Sequence, residues 1–238
     1  KTVKVWNVSN GNLLHDFNID NSIHTDRVTS VVSNGSLIVS GSRDNTIKIW
    51  NAESGLLLHT FDDTNGGHSE SVIEIAMDGS LMVSISPGAI KIWNVDTRQL
   101  VHTLDKDNTG WHTAGMVSAV DIHGTNVVNG GTDNTVKLWD TVTGQIVHTF
   151  DNTNGGHTDR VLSVAIEGTF IASGSKDKTL KIWNVDTRQL VYTFSSGNGG
   201  HTGWVNSVAI HGTTVVSGGN TSIKLWNAES GLLLRTIQ

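Results

Sequence analysis

Tryptophan recurs on a fixed beat in this chain of 238 residues: Trp6, Trp50, Trp93, Trp139, Trp183 and Trp226 stand 44, 43, 46, 44 and 43 residues apart. Histidine keeps the same beat, since His24, His68, His112, His157 and His201 are spaced by 44, 44, 45 and 44. Two markers in phase mean a repeated structural unit, and a unit of about 40 residues cannot bury both of its own faces. Within one period, VTSVV (28–32), LIVS (37–40), TIKIW (46–50) and LLLHTF (56–61) are short runs rich in β-branched residues, which read as strands. NGS, SRDN and NAESG lie between them, with the Asn, Asp and Gly that tight turns demand. No stretch keeps apolar residues at helical spacing for three turns. The pattern predicts an all-β chain of four antiparallel strands per period, with neighbouring sheets covering one another. A radial arrangement of such sheets leaves only short, protected edges.

The segment GGHTDRVLSVAIEGTFIASGSKDKTLKIWNVDTRQLVYTF (155–194) resembles the WD-repeat family, and the resemblance extends over essentially the whole chain. Only Trp139-Asp140 carries the namesake dipeptide; most copies read Trp-Asn. The resemblance implies a β-propeller of four-stranded blades. It also implies a hydrogen-bonded structural tetrad per blade, falling on His24, Ser40, Asp44 and Trp50, and again on His157, Ser173, Asp177 and Trp183. Buried polar groups of four kinds are tolerable only when each has a partner, so the four should travel together. Other copies depart from the set. Pro87-Gly88 stands where the aspartate belongs beside His68, Ser84 and Trp93; Asn129 replaces the serine beside His112, Asp133 and Trp139; and Asn220 lies near the aspartate position beside His201, Ser217 and Trp226. Those copies are expected to be less stable, by roughly 1–3 kcal/mol for each lost buried partner.

Composition excludes several functions. A net charge of −6 and the lack of any Lys or Arg run argue against nucleic acid, which requires a concentrated basic face. Without cysteine there is no disulfide framework, thiolate metal site or cysteine nucleophile, which suits a cytoplasmic location. No window approaches the eighteen or so apolar residues of a membrane span, so no membrane partner is expected. GxxxxGK[ST], HExxH and GxSxG are all missing, and the Asp/Asn/Gly loops at 62–68 and 151–157 lack the acidic alternation of a calcium loop. We therefore expect no cofactor, no metal and no catalytic residue. The Ser, His and Asp of each tetrad would be structural rather than nucleophilic. His15, His59, His102 and His148 recur on the fourth strand, where Tyr192 and Arg235 replace them in later copies, which reads as a solvated edge.

The opening KTVKVW corresponds to KTLKIW at 178–183, so the first copy lacks its inner two strands. The expectation is twenty-two strands, forming five blades and a half blade in one WD-repeat propeller domain over 1–238. We read that domain as an N-terminally truncated part of a longer propeller, the missing strands coming from the rest of the gene product or from another chain. A detached hairpin beside five blades is the third alternative.

Some copies are nearly identical even in their turns: IWNVDTRQLV occurs at 92–101 and 182–191, and WNAESGLLL at 50–58 and 226–234. That exceeds what folding requires and points to recent block duplication. Three positions per copy nevertheless vary. By resemblance to the family they form the rim of the narrow channel mouth. The first set is Arg27, Ser71, Met116, Arg160 and Trp204, the second Thr29, Ile73, Ser118, Leu162 and Asn206, and the third Arg43, Thr132 and Lys176. Aromatic and arginine side chains commonly carry interface energy. The expected function is a protein–protein interaction scaffold binding a protein or peptide at this face. Trp204 would be its anchor and Arg27, Arg43, Arg160 and Lys176 a cationic ring for an acidic segment. The alternative is a lectin-like or small-ligand-binding propeller, which would call for similar polar and aromatic groups in every copy; only Trp111 and Trp204 fall outside the periodic tryptophans.

Overall fold

A computed structural model describes residues 1–17, 23–105, 112 and 116–238. Trp111 and the insertion near Gly115 lie outside the described residues. The chain divides into two compact units, Lys1–Asp105 and Lys106–Gln238. The first holds a two-stranded half blade, β1 (Lys4–Trp6) and β2 (Leu13–Asp16), and two four-stranded blades. Blade 1 comprises β3 (Val28–Ser33), β4 (Leu37–Ser42), β5 (Ile47–Asn51) and β6 (Leu57–Phe61). Blade 2 comprises β7 (Glu74–Asp78), β8 (Leu81–Ser86), β9 (Ala89–Asn94) and β10 (Gln99–Asp105).

The second unit holds three blades. Blade 3 is β11 (Val117–His123), β12 (Asn126–Gly131), β13 (Val136–Asp140) and β14 (Ile146–Phe150). Blade 4 is β15 (Val161–Glu167), β16 (Phe170–Ser175), β17 (Leu180–Asn184) and β18 (Gln189–Phe194). Blade 5 is β19 (Val205–His211), β20 (Thr214–Gly219), β21 (Ile223–Asn227) and β22 (Leu233–Ile237). Every blade is an antiparallel meander whose strands neighbour one another in chain order.

Burial explains the composition of the strands. Ile47, Ile49 and Trp50 of β5 are shielded, as are Ile38, Val39 and Ser40 of β4, because the two middle strands are covered on both faces. Such strands read as continuous apolar runs rather than alternating ones. A register shift recurs beside each blade tryptophan, between Ile49 and Trp50, Leu138 and Trp139, Ile182 and Trp183, and Leu225 and Trp226. This bulge re-aims the side chain locally.

Within each unit, neighbouring sheets pack by a repeated contact. The fourth-strand phenylalanine of one sheet lies on the tryptophan of the next: Phe17 on Trp50 at 4.6 Å between ring centroids, Phe61 on Trp93 at 4.3 Å, Phe150 on Trp183 at 4.7 Å and Phe194 on Trp226 at 4.1 Å. Close approach also requires glycine. A Cβ on Gly41 would stand 2.6 Å from Val72, and one on Gly174 would stand 2.6 Å from Val205, so only a residue without a side chain fits.

Candidate functional site

Each tetrad begins at the buried end of the third strand. In blade 1 the Trp50 indole N–H donates to Ser40 Oγ at 3.0 Å, and His24 Nε2 lies 2.8 Å from the same oxygen. The serine has a single proton, which goes to Nε2, so the histidine carries its own proton on Nδ1. That atom lies 2.9 Å from Asp44 Oδ2. Thr25 N–H and the Thr46 hydroxyl complete the carboxylate, at 2.7 and 2.6 Å. Blade 4 repeats the order through Trp183, Ser173, His157 and Asp177 at 2.9, 2.8 and 2.9 Å. Burial alone would raise the Asp44 and Asp177 carboxyls. The hydrogen bonds from histidine and threonine outweigh it and hold both well below the usual carboxylate range. The proton order matches that of a hydrolytic triad, yet Ser40 and Ser173 are 0 % exposed and receive an indole N–H, so no substrate reaches them.

The variant blades differ from one another in a way composition does not reveal. In blade 3, Asn129 accepts from the Trp139 indole at 2.7 Å through Oδ1, and its Nδ2 donates to His112 Nε2. His112 Nδ1 then reaches Asp133 at 2.6 Å. The expected loss of a partner in this copy is therefore corrected: an amide contains both an acceptor and a donor, so it replaces a hydroxyl without orphaning anything. Blade 2 keeps the inner relay, with Trp93 to Ser84 at 2.9 Å and His68 Nε2 to Ser84 at 2.7 Å, but His68 Nδ1 is buried without a partner. Burial pushes the His68 pKa down to about 3. In blade 5 His201 Nδ1 has a long contact with the Ser222 hydroxyl at 3.5 Å, while Asn220 accepts instead from Asn206 at 3.0 Å.

A row of lysines accompanies the tetrads. Lys48, Lys91, Lys137 and Lys181 reach the fourth-strand threonines Thr60, Thr103, Thr149 and Thr193 at 3.1, 3.3, 3.4 and 3.0 Å. Burial pulls each ammonium pKa down, and the blade's own tetrad aspartate opposes this at Lys48, Lys137 and Lys181. Lys91 has only Asp105. The Asp-rich loops resolve into turn chemistry: the Asp62 carboxylate caps a single 3-10 turn by accepting from Thr64 N–H at 3.0 Å, and Asn65 Oδ1 accepts from Asp62 N–H at 2.9 Å. Two clefts lie beside these loops. One of about 210 Å³ is lined by Asp44, Asp62, Asp63 and His68, the other of about 240 Å³ by Asp133, Asp151 and His157. Neither is lined by Trp, Tyr or Phe, the side chains on which a sugar ring commonly stacks. The fourth-strand histidines are less solvated than a free edge would be, since His59 packs on Phe61 and His148 on Phe150 at 4.5 and 4.6 Å.

The variable positions gather at the turn edge of each blade. Main-chain bonds join the third set to the first: Arg43 N–H to Arg27 O at 2.9 Å, Thr132 N–H to Met116 O at 3.1 Å and Lys176 N–H to Arg160 O at 3.0 Å. Side chains extend two of these pairs to the next blade. Ser71 Oγ donates to Arg43 O at 3.3 Å, and Lys176 Nζ lies 4.4 Å from the centroid of the Trp204 ring. Trp204 is 46 % exposed and Met116 51 %. Ile73 and Leu162 are half-buried, and Asn206 is exposed. Two members of the second set also bond to the next blade: the exposed Thr29 donates its hydroxyl to Val72 O at 2.7 Å and the half-buried Ser118 donates its hydroxyl to Val161 O at 2.5 Å, so both fasten one blade to the next. Sequence reasoning missed a second row of such fasteners. Ile75 N–H donates to Ser30 Oγ, Ile166 N–H to Asp121 Oδ2 and Val208 N–H to Ser163 Oγ, at 3.2, 2.9 and 3.1 Å. Their constant separation of 45 residues was the available signal.

Four-stranded antiparallel meanders, each built on a buried tryptophan relay and edged by variable turns, define a propeller-type repeat protein. The family model for the WD domain, G-beta repeat, matches residues 15–51, 99–140, 144–184 and 188–227, and the chain belongs to that family. Among solved structures it is similar to the crystal structure of the computationally designed Ika8 protein, with 28 % identity and a TM-score of 0.67 over 99 % of this chain and 80 % of that one. The search of curated proteins finds no match. No helix among the described residues is long and apolar enough to cross a membrane.

Proposed function

We propose that this chain is a non-catalytic recognition module that binds an acidic protein or peptide segment at the turn edge of its blades. WD repeats generally mediate protein–protein interaction, and the reading here rests on one cluster in the second unit. Arg160 and Lys176 are joined through the main chain, and Lys176 stands over the half-exposed Trp204 ring in the adjoining blade. Among the described residues no ion pair involves Arg27, Arg43, Arg160 or Lys176. On a chain of net charge −6, cations left unneutralised at one edge favour an acidic segment. The indole supplies apolar area at low entropic cost, and an exposed cation–π pair adds about 0.5–1 kcal/mol. In the first unit, Arg27 and Arg43 occupy the equivalent positions of blade 1. The remaining variable side chains, Ser71, Ile73, Met116, Thr132, Leu162 and Asn206, shape the surface around these anchors. Thr29 and Ser118 also fasten its blades to one another.

The test is binding to an array of acidic, neutral and basic peptides. Acidic peptides should bind with an affinity that falls with salt, and Arg160→Ala or Trp204→Ala should weaken them at least tenfold. Equal binding by both variants and the parent chain would remove the proposal.

A further inference from the structure

His15, His59, His148 and Tyr192 hold the same place on the fourth strand, opposite Val5, Ile49, Leu138 and Ile182 of the third. Their rings nevertheless take two positions. His15 and Tyr192 reach across the junction: His15 Nε2–H donates to Glu53 O at 2.9 Å, and the Tyr192 hydroxyl donates to Glu229 O at 2.8 Å. Both acceptors are main-chain carbonyls in the turn between the third and fourth strands of the following blade. These two rings lie nearly parallel to the phenylalanine of their own strand, 6.0 Å from Phe17 at 28° and 5.8 Å from Phe194 at 27°. His59 and His148 instead fold back and stand edge-on to Phe61 and Phe150, at 4.5 and 4.6 Å and 76° and 71°.

The turn that each ring meets has one of two sequences. Blades 1 and 5, which follow His15 and Tyr192, read NAESG at 51–55 and 227–231; blades 2 and 4, which follow His59 and His148, read NVDTR at 94–98 and 184–188. Backbone shape does not separate them. The last residue is left-handed in all four, with φ of 72° at Gly55, 69° at Gly231 and 59° at both Arg98 and Arg188. Gly231 N–H closes its turn on Asn227 O at 2.9 Å, as Arg188 N–H does on Asn184 O at 2.9 Å. The difference is a Cβ. One on Gly55 would stand 2.7 Å from His15 Nδ1, and one on Gly231 would stand 2.5 Å from Tyr192 Cε1, far inside the 3.5–4.0 Å or so of a favourable contact. Ring and side chain therefore exclude one another at this place. Burial first, and the adjoining Arg98 or Arg188 second, lower the His59 and His148 pKa values, with Asp62 and Asp151 opposing, so each arginine stands near the ring that is turned back.

We infer that the left-handed residue of this turn selects the position of the preceding blade's ring, and so acts as a specificity determinant between neighbouring blades. Glycine admits the ring across the junction; a residue with a Cβ turns it back onto its own phenylalanine. An NAESG blade is thereby matched to a predecessor that offers a ring with a hydrogen-bond donor, and an NVDTR blade to one whose ring is satisfied within its own strand. Such a match has a use in this chain, because IWNVDTRQLV and WNAESGLLL each occur twice and near-identical blades compete for the same neighbours. The device is independent of the basic cluster at Trp204.

The experiment follows two rings by NMR in the full chain. Tyr192 is the only tyrosine, so its ring signals are unambiguous. In the parent chain they should show cross-relaxation with backbone protons of the turn 227–231, and Gly231→Ala should abolish it. Arg188→Gly should do the reverse in the junction before blade 4. His148 should leave Phe150, and its Nε2–H, now bonded to Asp186 O, should exchange slowly with water, as that of His15 does in the parent. Glycine relieves the backbone at a left-handed position, so this variant keeps the inference testable even if Gly231→Ala fails to fold. Arg188→Ala separates size from charge: the Cβ alone should keep His148 on Phe150. A Tyr192 ring that keeps its turn contacts in Gly231→Ala would overturn the inference. So would a His148 ring that stays on Phe150 in Arg188→Gly, or one that crosses in Arg188→Ala.

Discussion

Blades 1 and 2 sit side by side in one compact unit and share their core almost atom for atom. Trp50 and Trp93 donate to Ser40 and Ser84 at 3.0 and 2.9 Å, and His24 and His68 meet those serines at 2.8 and 2.7 Å. The phenylalanine stacks that dock the two tryptophans are 4.6 and 4.3 Å long. Only the outer end differs, where Asp44 becomes Gly88 and the turn loses a residue. The tetrad is therefore two devices in series. A deep Trp–Ser–His relay orients the core, and a shallower carboxylate ties the histidine loop to the turn between the second and third strands. The first can persist without the second, because apolar packing and the serine hydroxyl already fix the ring.

The largest expected effect breaks the outer device where it is present. Asp44→Ala strips the acceptor from His24 Nδ1, Thr25 N–H and Thr46 N–H together. We expect a loss of about 2–4 kcal/mol in denaturant unfolding. Gly88→Ala in blade 2 removes no such bond and should change stability by less than about 0.5 kcal/mol. Equal losses at the two positions would mean that the comparison of the two blades is mistaken.

Acid sharpens the contrast, with a distinct pH window for each blade. The folded His68 pKa is about 3 and its unfolded value about 6.5, so between those limits the unfolded chain holds the extra proton. Stability should fall as pH drops through this range, by up to about 1.4 kcal/mol per pH unit from this group. His68→Gln should flatten that slope. The Asp44 carboxyl, held low in the fold, contributes stability that is fully present above its unfolded pKa of about 4 and is lost as pH falls below it. Asp44→Asn should therefore alter the acid limb only below about pH 4. A parent chain with constant stability between pH 7 and 4 would show that His68 takes up its proton while folded.

Periodicity made much of this legible. Trp and His at a shared interval of about 44 residues mark the blade count, and runs such as LIVS and TIKIW mark strands covered on both faces, because burial leaves its trace in apolar composition. The loss at Gly88 could also be read, since a carboxylate cannot be imitated by glycine. The fasteners between blades were hidden for a physical reason. Thr29 and Ser118 donate to backbone carbonyls, and Ser30, Asp121 and Ser163 accept from backbone amides, groups that every non-proline residue carries and that leave no mark on the partner's identity. A varied polar residue at the turn edge therefore read only as a contact for a partner, although at Thr29 and Ser118 its hydroxyl also holds the next blade. The Lys176–Trp204 contact was likewise invisible, because it depends on two adjoining blades meeting at their turns.

The smallest expected effect tests whether the inner device tolerates a change of chemistry at its hub. Asn129 relays Trp139 to His112 with an amide where the other blades use a hydroxyl. Either group accepts from the indole and donates to Nε2, so Asn129→Ser should keep the same proton order and leave His112 Nδ1 bonded to Asp133. The exchange removes some buried volume, which sets the expected cost at about 1 kcal/mol or less. Asn129→Ala, which orphans the indole N–H and Nε2 together, should cost about 2–4 kcal/mol. The measurement is paired denaturant unfolding of the two variants. If serine were as damaging as alanine, the amide would be fitted to its blade by shape and not by its pair of hydrogen bonds, and Asn129 would not be an equivalent of Ser40.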